Sequence, residues 1–586
     1  MYWRITVPAK TMAEAKAEPW LVALPGLFVW RGVCFRRWHA LAATFFTQAC
    51  CGSIYAYPAL LNTLNLHFGQ TDGAAMTRIM LVAMACLGVA GALSGPALER
   101  RAPRVGMFAG TLCTCLGLLL AHIAVLVTSE ALLILGYGVL VGAGVGLLVL
   151  SSIATTQKWY PDYRATCMGV GVLGFGAGLT LWNRLYVSLL HLATTTDVVT
   201  SSAQLTHVFS TAVAIIGPVL LLSSIVLRSP PPNFVVNGVD MHCVAADTSA
   251  NATQHLFVQD EFFKVGMTLV NFDAIRASND AFVGTDGHYY QQVKALSLAQ
   301  CIFSTDFALL YLAFAATVAP SILFVSQLVH MTAYHFTHND NVSAMAFARV
   351  PVLLSLLGRL VAPLLSDGVV RVFYANPAFA RKVVLLVLLG VECAMLPLIA
   401  FAITNDDYAT FQIAVSVMTF ATGGGFAIVP CLLSDLYGVY NMGTMYGLLL
   451  TSWCGGVIAV GLVLTETDVA DASALAGLLH ALCYVLVVAW ALLWLVRTNS
   501  TDRFFPGYQI TACSRVLVQI PFRRNTSDTL RDDVSSGGSI DSIIVPQQAS
   551  SGKSPTRSSF FLWDEHAVVH VGSGEASSIT EEGAEH

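Results

Sequence analysis

Arg359 stands inside an apolar run, 343–366, whose only other full charge is Arg349. Counted back from Asp367, it lies about two helical turns, roughly 12 Å, inside the end of that run. A guanidinium is costly in hydrocarbon and persists where it faces water or a partner. Its planar fork fits a carboxylate through two parallel hydrogen bonds. Carboxylate binding is therefore the chemistry on offer, set against the plainer reading of an arginine snorkelling to the near surface. Arg349, ten residues earlier, would sit about 80° around the helix and about 15 Å along it. It suits a second anion site, an outer gate or an outer-end snorkel, and Arg184 in Trp182-Asn-Arg184 suits a snorkel.

Other residues bear on the same chemistry. Glu392 falls near the middle of the apolar run 381–403, where an isolated carboxyl must be protonated or paired. That makes it a proton-coupling candidate, with Asp306 at the start of the run 306–329 as the alternative. Tyr55, Tyr57, Tyr446 and Trp453 carry donors that suit carboxylate oxygens, or they are packing residues. Arg100, Arg101 and Arg104, together with Asp367 and Arg371, suit gating charge pairs at helix ends, or simple anchoring on one side of a membrane. His122 and His480 read as packing residues. The stretch Gly169-Val-Gly171-Val-Leu-Gly174 fits a nucleotide-loop pattern, but it lies inside an apolar run with no strand before it. With Gly138, Gly142 and Gly146 it reads as small-residue helix packing. No Cys/His cluster has zinc spacing and no CxxC occurs, so neither a metal nor a cofactor is expected.

The elements that hold these residues follow from composition. The 586 residues are 56% hydrophobic and 11% charged, and mean hydropathy is +0.68. A soluble chain of this length cannot cover its surface with so few charges. Soluble enzymes, disordered scaffolds and nucleic-acid binders are excluded, and the lipid bilayer is the implied partner. Twelve runs are long enough to cross it as helices: 38–62, 77–97, 105–127, 131–155, 165–188, 207–227, 306–329, 343–366, 381–403, 409–432, 442–463 and 474–496. None alternates like a barrel strand.

Lys and Arg flank alternate loops. Arg31, Arg36 and Arg37 precede the first run, Lys158 and Arg164 follow the fourth, and Arg381 and Lys382 precede the ninth. The opposite loops hold no Lys or Arg, with Arg78 at one edge, so both termini are expected in the cytosol. The chain then divides into an arm 1–37, a six-helix half 38–227, a central loop 228–305, a second half 306–496 and a tail 497–586. The tail, rich in Ser, Gly and acids, is expected to be largely disordered. Of the sequons at Asn251, Asn341, Asn499 and Asn525, only Asn341 falls in an outside loop.

The halves repeat weakly. Gly95-Pro-Ala-Leu-Glu-Arg100 ends the second run and Ala362-Pro-Leu-Leu-Ser-Asp367 ends the eighth. Tyr160 and Tyr163 before the fifth echo Tyr437 and Tyr440 before the eleventh. Six plus six helices with duplicated turns suit alternating access. At these residues the chain resembles the major facilitator superfamily, and within it the oxalate/formate antiporter-like branch. The likeness rests on Gly52-Ser-Ile-Tyr-Ala-Tyr-Pro58, Lys158-Trp-Tyr-Pro-Asp-Tyr-Arg164, Gly174-Phe-Gly176, Gly358-Arg359, Ser366-Asp367 and Tyr437-Gly438 with Tyr446-Gly447-Leu-Leu-Leu-Thr451.

The resemblance implies passive secondary transport of small organic anions, related to proton-linked monocarboxylate carriers, with Arg359 as the carboxylate anchor. It also places ninth helices at the periphery, which implies a structural, neutral Glu392. The branch's dicarboxylate exchanger carries a Lys in span eleven, near Trp453 here, and this run has no Lys or Arg. That departure points away from oxalate toward pyruvate, lactate or formate, by proton symport or anion exchange. The expectation is a monomeric transporter, not an enzyme, in the plasma membrane or an organelle membrane. The rival reading is a membrane sensor that signals through its tail.

Overall fold

A computed structural model describes residues 18–24, 28–70, 74–191, 198–231, 234–243, 286–336, 341–467, 470–505, 507–512, 515–521, 544–546 and 568–570. The chain forms two compact units, 1–499 and 500–586. The first is a helical bundle. Its opening hairpin pairs β1 (Trp20–Leu24) with β2 (Phe28–Cys34) antiparallel and leads into α1 (Arg37–Cys51). There follow α2 (Leu61–Phe68), α3 (Ala74–Arg100), α4 (Pro103–Val127), α5 (Glu130–Leu133), α6 (Gly142–Trp159), α7 (Arg164–His191) and α8 (Val198–Val226). A short hairpin, β3 (Val235–Val236) with β4 (Val239–Asp240), and two helices, α9 (Asp286–Ala295) and α10 (Leu298–Ile302), belong to the central loop. The second half comprises α11 (Thr305–Thr317), α12 (Ala319–His335), α13 (Asn341–Phe373), α14 (Pro377–Thr404), α15 (Tyr408–Tyr437), α16 (Val439–Glu466) and α17 (Ala472–Leu495).

Among the described residues, ten helices are long and apolar enough to cross a membrane. The first and seventh predicted runs are interrupted, a departure from unbroken spans. Between α1 and α2 the backbone tightens to a 3₁₀ helix, Gly52–Leu60, because Pro58 cannot donate to the helical ladder. α7 also approaches closely at Gly52, where a Cβ would lie 2.3 Å from the Phe175 carbonyl. The seventh run breaks at Val318, ahead of Pro320 at the start of α12. The predicted fourth run contains a π-helical stretch, Ile134–Val141.

Hydroxyls inside the helices are satisfied locally. Thr47, Thr111, Ser151, Thr155 and Thr332 each donate to the carbonyl four residues earlier, as polar groups in hydrocarbon require. Two seams join the halves, and small residues set both. Gly91 of α3 lies against Gly447 of α16, and Gly95 against Thr444. On the other seam, Gly169 of α7 meets the Arg359 carbonyl of α13. Gly142 and Gly146 of α6 abut the backbone of α3, while Gly174 abuts that of α1. These contacts fit the packing role read from the glycine spacing.

In the second unit, α18 (Ser500–Arg503) precedes β5 (Gly507–Ala512), which pairs antiparallel with β6 (Arg515–Pro521). β7 (Ile544–Pro546) pairs with β8 (Val568–His570). The tail thus contains ordered hairpins among its described residues, where the sequence suggested mainly disorder. Its remainder, and the sequons at Asn251 and Asn525, lie outside the described residues.

Candidate functional site

The interrupted first run places Tyr55 within the bundle, facing α7 and α16. Its ring meets Phe175 edge-on at 5.6 Å and Trp453 at 5.8 Å. Phe426 of α15 continues this wall, 5.4 Å from Trp453 and stacked 6.3 Å from Phe314 of α11. Arg359 enters the same cavity. Its guanidinium carbon is 5.7 Å from the Phe426 ring centroid, and Nη1 donates to the Val172 carbonyl at 3.4 Å. Nε has no hydrogen-bond partner among the described residues, nor has the Tyr55 hydroxyl. No carboxylate pairs with Arg359 among them.

Close backbone contacts hold this arrangement. A Cβ on Gly358 would meet the Phe420 carbonyl at 2.0 Å, and one on Gly423 the Ser355 carbonyl at 2.2 Å. These glycines let α13 and α15 touch, bringing Phe426 to Arg359. Across the seam, a Cβ on Gly176 would stand 2.5 Å from Arg359 Nη1, so α7 must be bare there.

Glu392 lines the cavity that Arg359 enters. This is the main departure from the peripheral position implied for the ninth helix. Its residue is 2% exposed, and α15 supplies Thr422 as a hydrogen-bond partner. One carboxyl oxygen, Oε2, has no partner among the described residues. Beside it lies an apolar cluster of Ala362, Val384, Leu388, Ala421 and Ile428.

The other sequence candidates fall elsewhere. Tyr446 is buried in α16 and does not line the cavity, and Arg349 is exposed on α13. Asp306 is fully buried and held by Arg497, whose backbone N–H and guanidinium all donate to it at 2.8–3.2 Å. That pair ties the start of α11 to the residues after α17. Arg184 is exposed. His122 and His480 bond to carbonyls of Thr206 and Ala476, as packing histidines do.

At the helix ends beyond Arg359, a charge network crosses between the halves. Asp367 accepts from the backbone N–H and hydroxyl of Thr166, both at 2.8 Å, and from Arg381 Nη2 at 3.2 Å. Arg381 also lies 2.7 Å from Asp435, and Arg164 Nη1 donates to the other Asp435 oxygen at 2.7 Å. Ser434 donates to Gln157 at 2.7 Å. Arg371 donates to the Asp162 carbonyl at 2.8 Å and stacks 3.6 Å from the Tyr163 ring. Arg104 instead caps α8 within its own half, donating to the Ile225 and Leu227 carbonyls, and Arg100 is half-buried. Lys158 pairs with Glu99.

The central loop covers this network. Arg164 donates to the Met241 carbonyl at 3.1 Å, Tyr289 to the Asp435 carbonyl at 3.1 Å, and Asn441 to the Leu296 carbonyl at 3.1 Å. The His242 ring packs 4.7 Å from Tyr440. Burial pushes His242 down to about 4, and Lys294 adds to the effect.

Sequence reasoning missed Phe175, Phe314 and Phe426, because aromatic residues in apolar runs carry no signal of the face they take. It also missed Asp435, although a lone acid closing an apolar run beside Tyr437-Gly438 was a usable signal. Arg164 and Arg381 were read as markers of orientation, and Arg164 as part of a motif, but neither as a member of a charge pair.

The two halves, their seams and a closed end beside a central cavity form a familiar architecture. The sequence profile of the Major Facilitator Superfamily matches residues 40–461. The chain belongs to this superfamily. Among curated relatives of the superfamily, the uncharacterized MFS-type transporter YhjX of Escherichia coli (strain K12) is 22% identical over 416 residues, covering 70% of this chain and 84% of YhjX. The proton:xylose symporter XylE superposes with a TM-score of 0.56 at 12% identity, over 79% of this chain and 97% of XylE. FucP in the outward conformation gives 0.50 at 15% identity, over 78% and 100%. An outward-facing bacterial homologue of the iron transporter ferroportin gives 0.50 at 11%, over 78% and 98%. The protein is thus a multi-pass integral membrane protein with the superfamily's fold.

Proposed function

We propose that the protein is a secondary active transporter of small monocarboxylates, of the pyruvate, lactate or formate class, working by alternating access. In this reading twelve segments cross the membrane, ten as the long helices and two as the interrupted first and seventh runs. Both termini face the cytosol, in keeping with the Lys and Arg beside the helix ends.

The observation that carries the reading is Arg359, whose Nε has no hydrogen-bond partner among the described residues, in an aromatic-walled cavity that Glu392 also lines. An uncompensated cation in a low-dielectric cavity favours one negative charge. A monocarboxylate neutralises it, whereas a dicarboxylate leaves a net negative charge without a partner. Tyr55 supplies a hydroxyl donor, and Phe426 and Trp453 cover the apolar remainder of a small acid. Glu392 carries the coupled proton, giving symport of one carboxylate with one proton. The network from Arg164 to Asp367 holds the cytosolic end shut while substrate enters from outside; it must part for release.

XylE is a proton:xylose symporter and the ferroportin homologue is related to an iron transporter, so both cargoes belong among the controls. The test is uptake of labelled pyruvate, lactate, formate, oxalate, xylose and iron by reconstituted protein, with and without an acid-outside gradient. The proposed function requires gradient-driven accumulation of a monocarboxylate that exceeds oxalate and xylose. Xylose or oxalate uptake alone would overturn it, and absence of any uptake would favour the sensor.

A further inference from the structure

The hairpin ahead of α1 is held firmly, yet one of its strands is exposed along its whole length. Arg228, just past α8, donates to the carbonyls of Glu18, Trp20 and Leu21 along β1. Its guanidinium lies 4.3 Å over Phe35, which packs 5.1 Å from Trp159 at the end of α6. The hairpin is thereby fixed at the ends of α6 and α8. All seven residues of β2 are nonetheless exposed.

Those residues are ill-suited to water. Phe28 is 56% exposed, Trp30 48% and, at the start of α1, Trp38 55%. Val29 and Val33 are exposed too. A contiguous apolar strand of this kind marks an interaction surface. Its charge is one-sided: no acidic residue occurs between Glu18 and Asp72, and Arg31 and Arg36 are exposed, while Arg37 pairs with Asp162.

Position selects the occupant. Two residues after β2 the chain enters α1, the start of the first apolar run, where Trp38 and Phe46 are exposed. Exposed apolar side chains thus stand on β2 and, four residues beyond it, at Trp38 where the first apolar run begins. Tryptophan and phenylalanine beside arginine, at the level of helix ends, match the headgroup layer. Arginines there attract anionic lipid, each adding about 1 kcal/mol, or roughly fivefold in partitioning. We propose that β2 is an interfacial anchor lying in the anionic headgroup layer of the bilayer around the first span.

The test uses full-length protein in vesicles of phosphatidylcholine alone or mixed with phosphatidylglycerol. An NBD fluorophore is placed at Phe28→Cys in a Cys34→Ser background, with Cys34→Ser alone labelled in parallel. The proposal expects quenching by nitroxide carried at a shallow lipid position, shielding from aqueous iodide, and stronger shielding as phosphatidylglycerol rises. Arg31→Glu with Arg36→Glu should abolish that dependence on anionic lipid. Iodide quenching equal to that of free dye in both vesicles would overturn the proposal. So would energy transfer between differently labelled copies with no lipid quenching, which would assign the strand to a second copy of the chain.

Discussion

Replacing Arg359 by Gln keeps most of its length and removes its charge. Hydrogen bonds to a charged group contribute about 1.5–3 kcal/mol each. Losing a two-bond grip should therefore lower kcat/KM for uptake by about 100-fold or more. Lys at this position retains charge but not the fork, and should recover only part of the rate. The neighbouring glycine offers a subtler check. A methyl on Gly176 intrudes on Arg359 Nη1 at 2.5 Å, so Gly176→Ala should displace the guanidinium and raise KM severalfold. The thermal unfolding profile should remain close to that of the parent, since the atom displaced ends a flexible chain. Glu392→Gln separates coupling from binding. Gradient-driven accumulation should disappear while exchange of labelled for unlabelled substrate continues. Accumulation that survives the substitution would remove Glu392 from the proton path.

Helices meet at the closed end through charges buried on both sides, and this contact is strong only while complete. Asp435 serves both Arg164 and Arg381. Asp435→Asn leaves two buried guanidinium groups short of an acceptor, and breaking such a pair costs about 3–5 kcal/mol. The closed form should lose population, and the native thiol of Cys431, buried beside Arg164, should become open to a membrane-impermeant maleimide. Mass spectrometry of the labelled peptide reads this directly. His242 gives the same end a dependence on pH. The groups facing it are Lys294, Arg164 and Lys158, which disfavour its proton, and Asp240, which favours it. The closed form holds the ring neutral down to about 4, whereas a solvated ring takes its proton near 6.5. The neutral ring's contribution to closure is therefore fully present above about 6.5 and is lost as pH falls from there toward about 4. Cys431 labelling should rise over that interval, and His242→Phe should flatten the rise.

The bundle was legible because its hydrophobic runs, glycine spacings and flanking cations are one-dimensional signals. Arg359 was legible for the same reason: a charge in a bare apolar run stands out. Glu392 shows where such reading ends, since its isolation was visible but its direction was not. Only the close packing of α13, α14 and α15 turns it into the cavity. The aromatic wall was hidden because Phe175, Phe314 and Phe426 look like any other apolar residue until three helices bring them together. The closed end was half visible, as charges placed for orientation also proved to be paired across the halves. For the molecule as a whole, the proposed function is that of a carrier binding one carboxylate and one proton in the cavity lined by Arg359 and Glu392. The most direct test is accumulation of labelled pyruvate, lactate and formate by the reconstituted protein under an acid-outside gradient, with Arg359→Gln and Glu392→Gln in parallel. A carrier of this kind accumulates a monocarboxylate in the parent, loses about 100-fold or more of kcat/KM with Arg359→Gln, and retains exchange alone with Glu392→Gln. Equal uptake by parent and Arg359→Gln would contradict it.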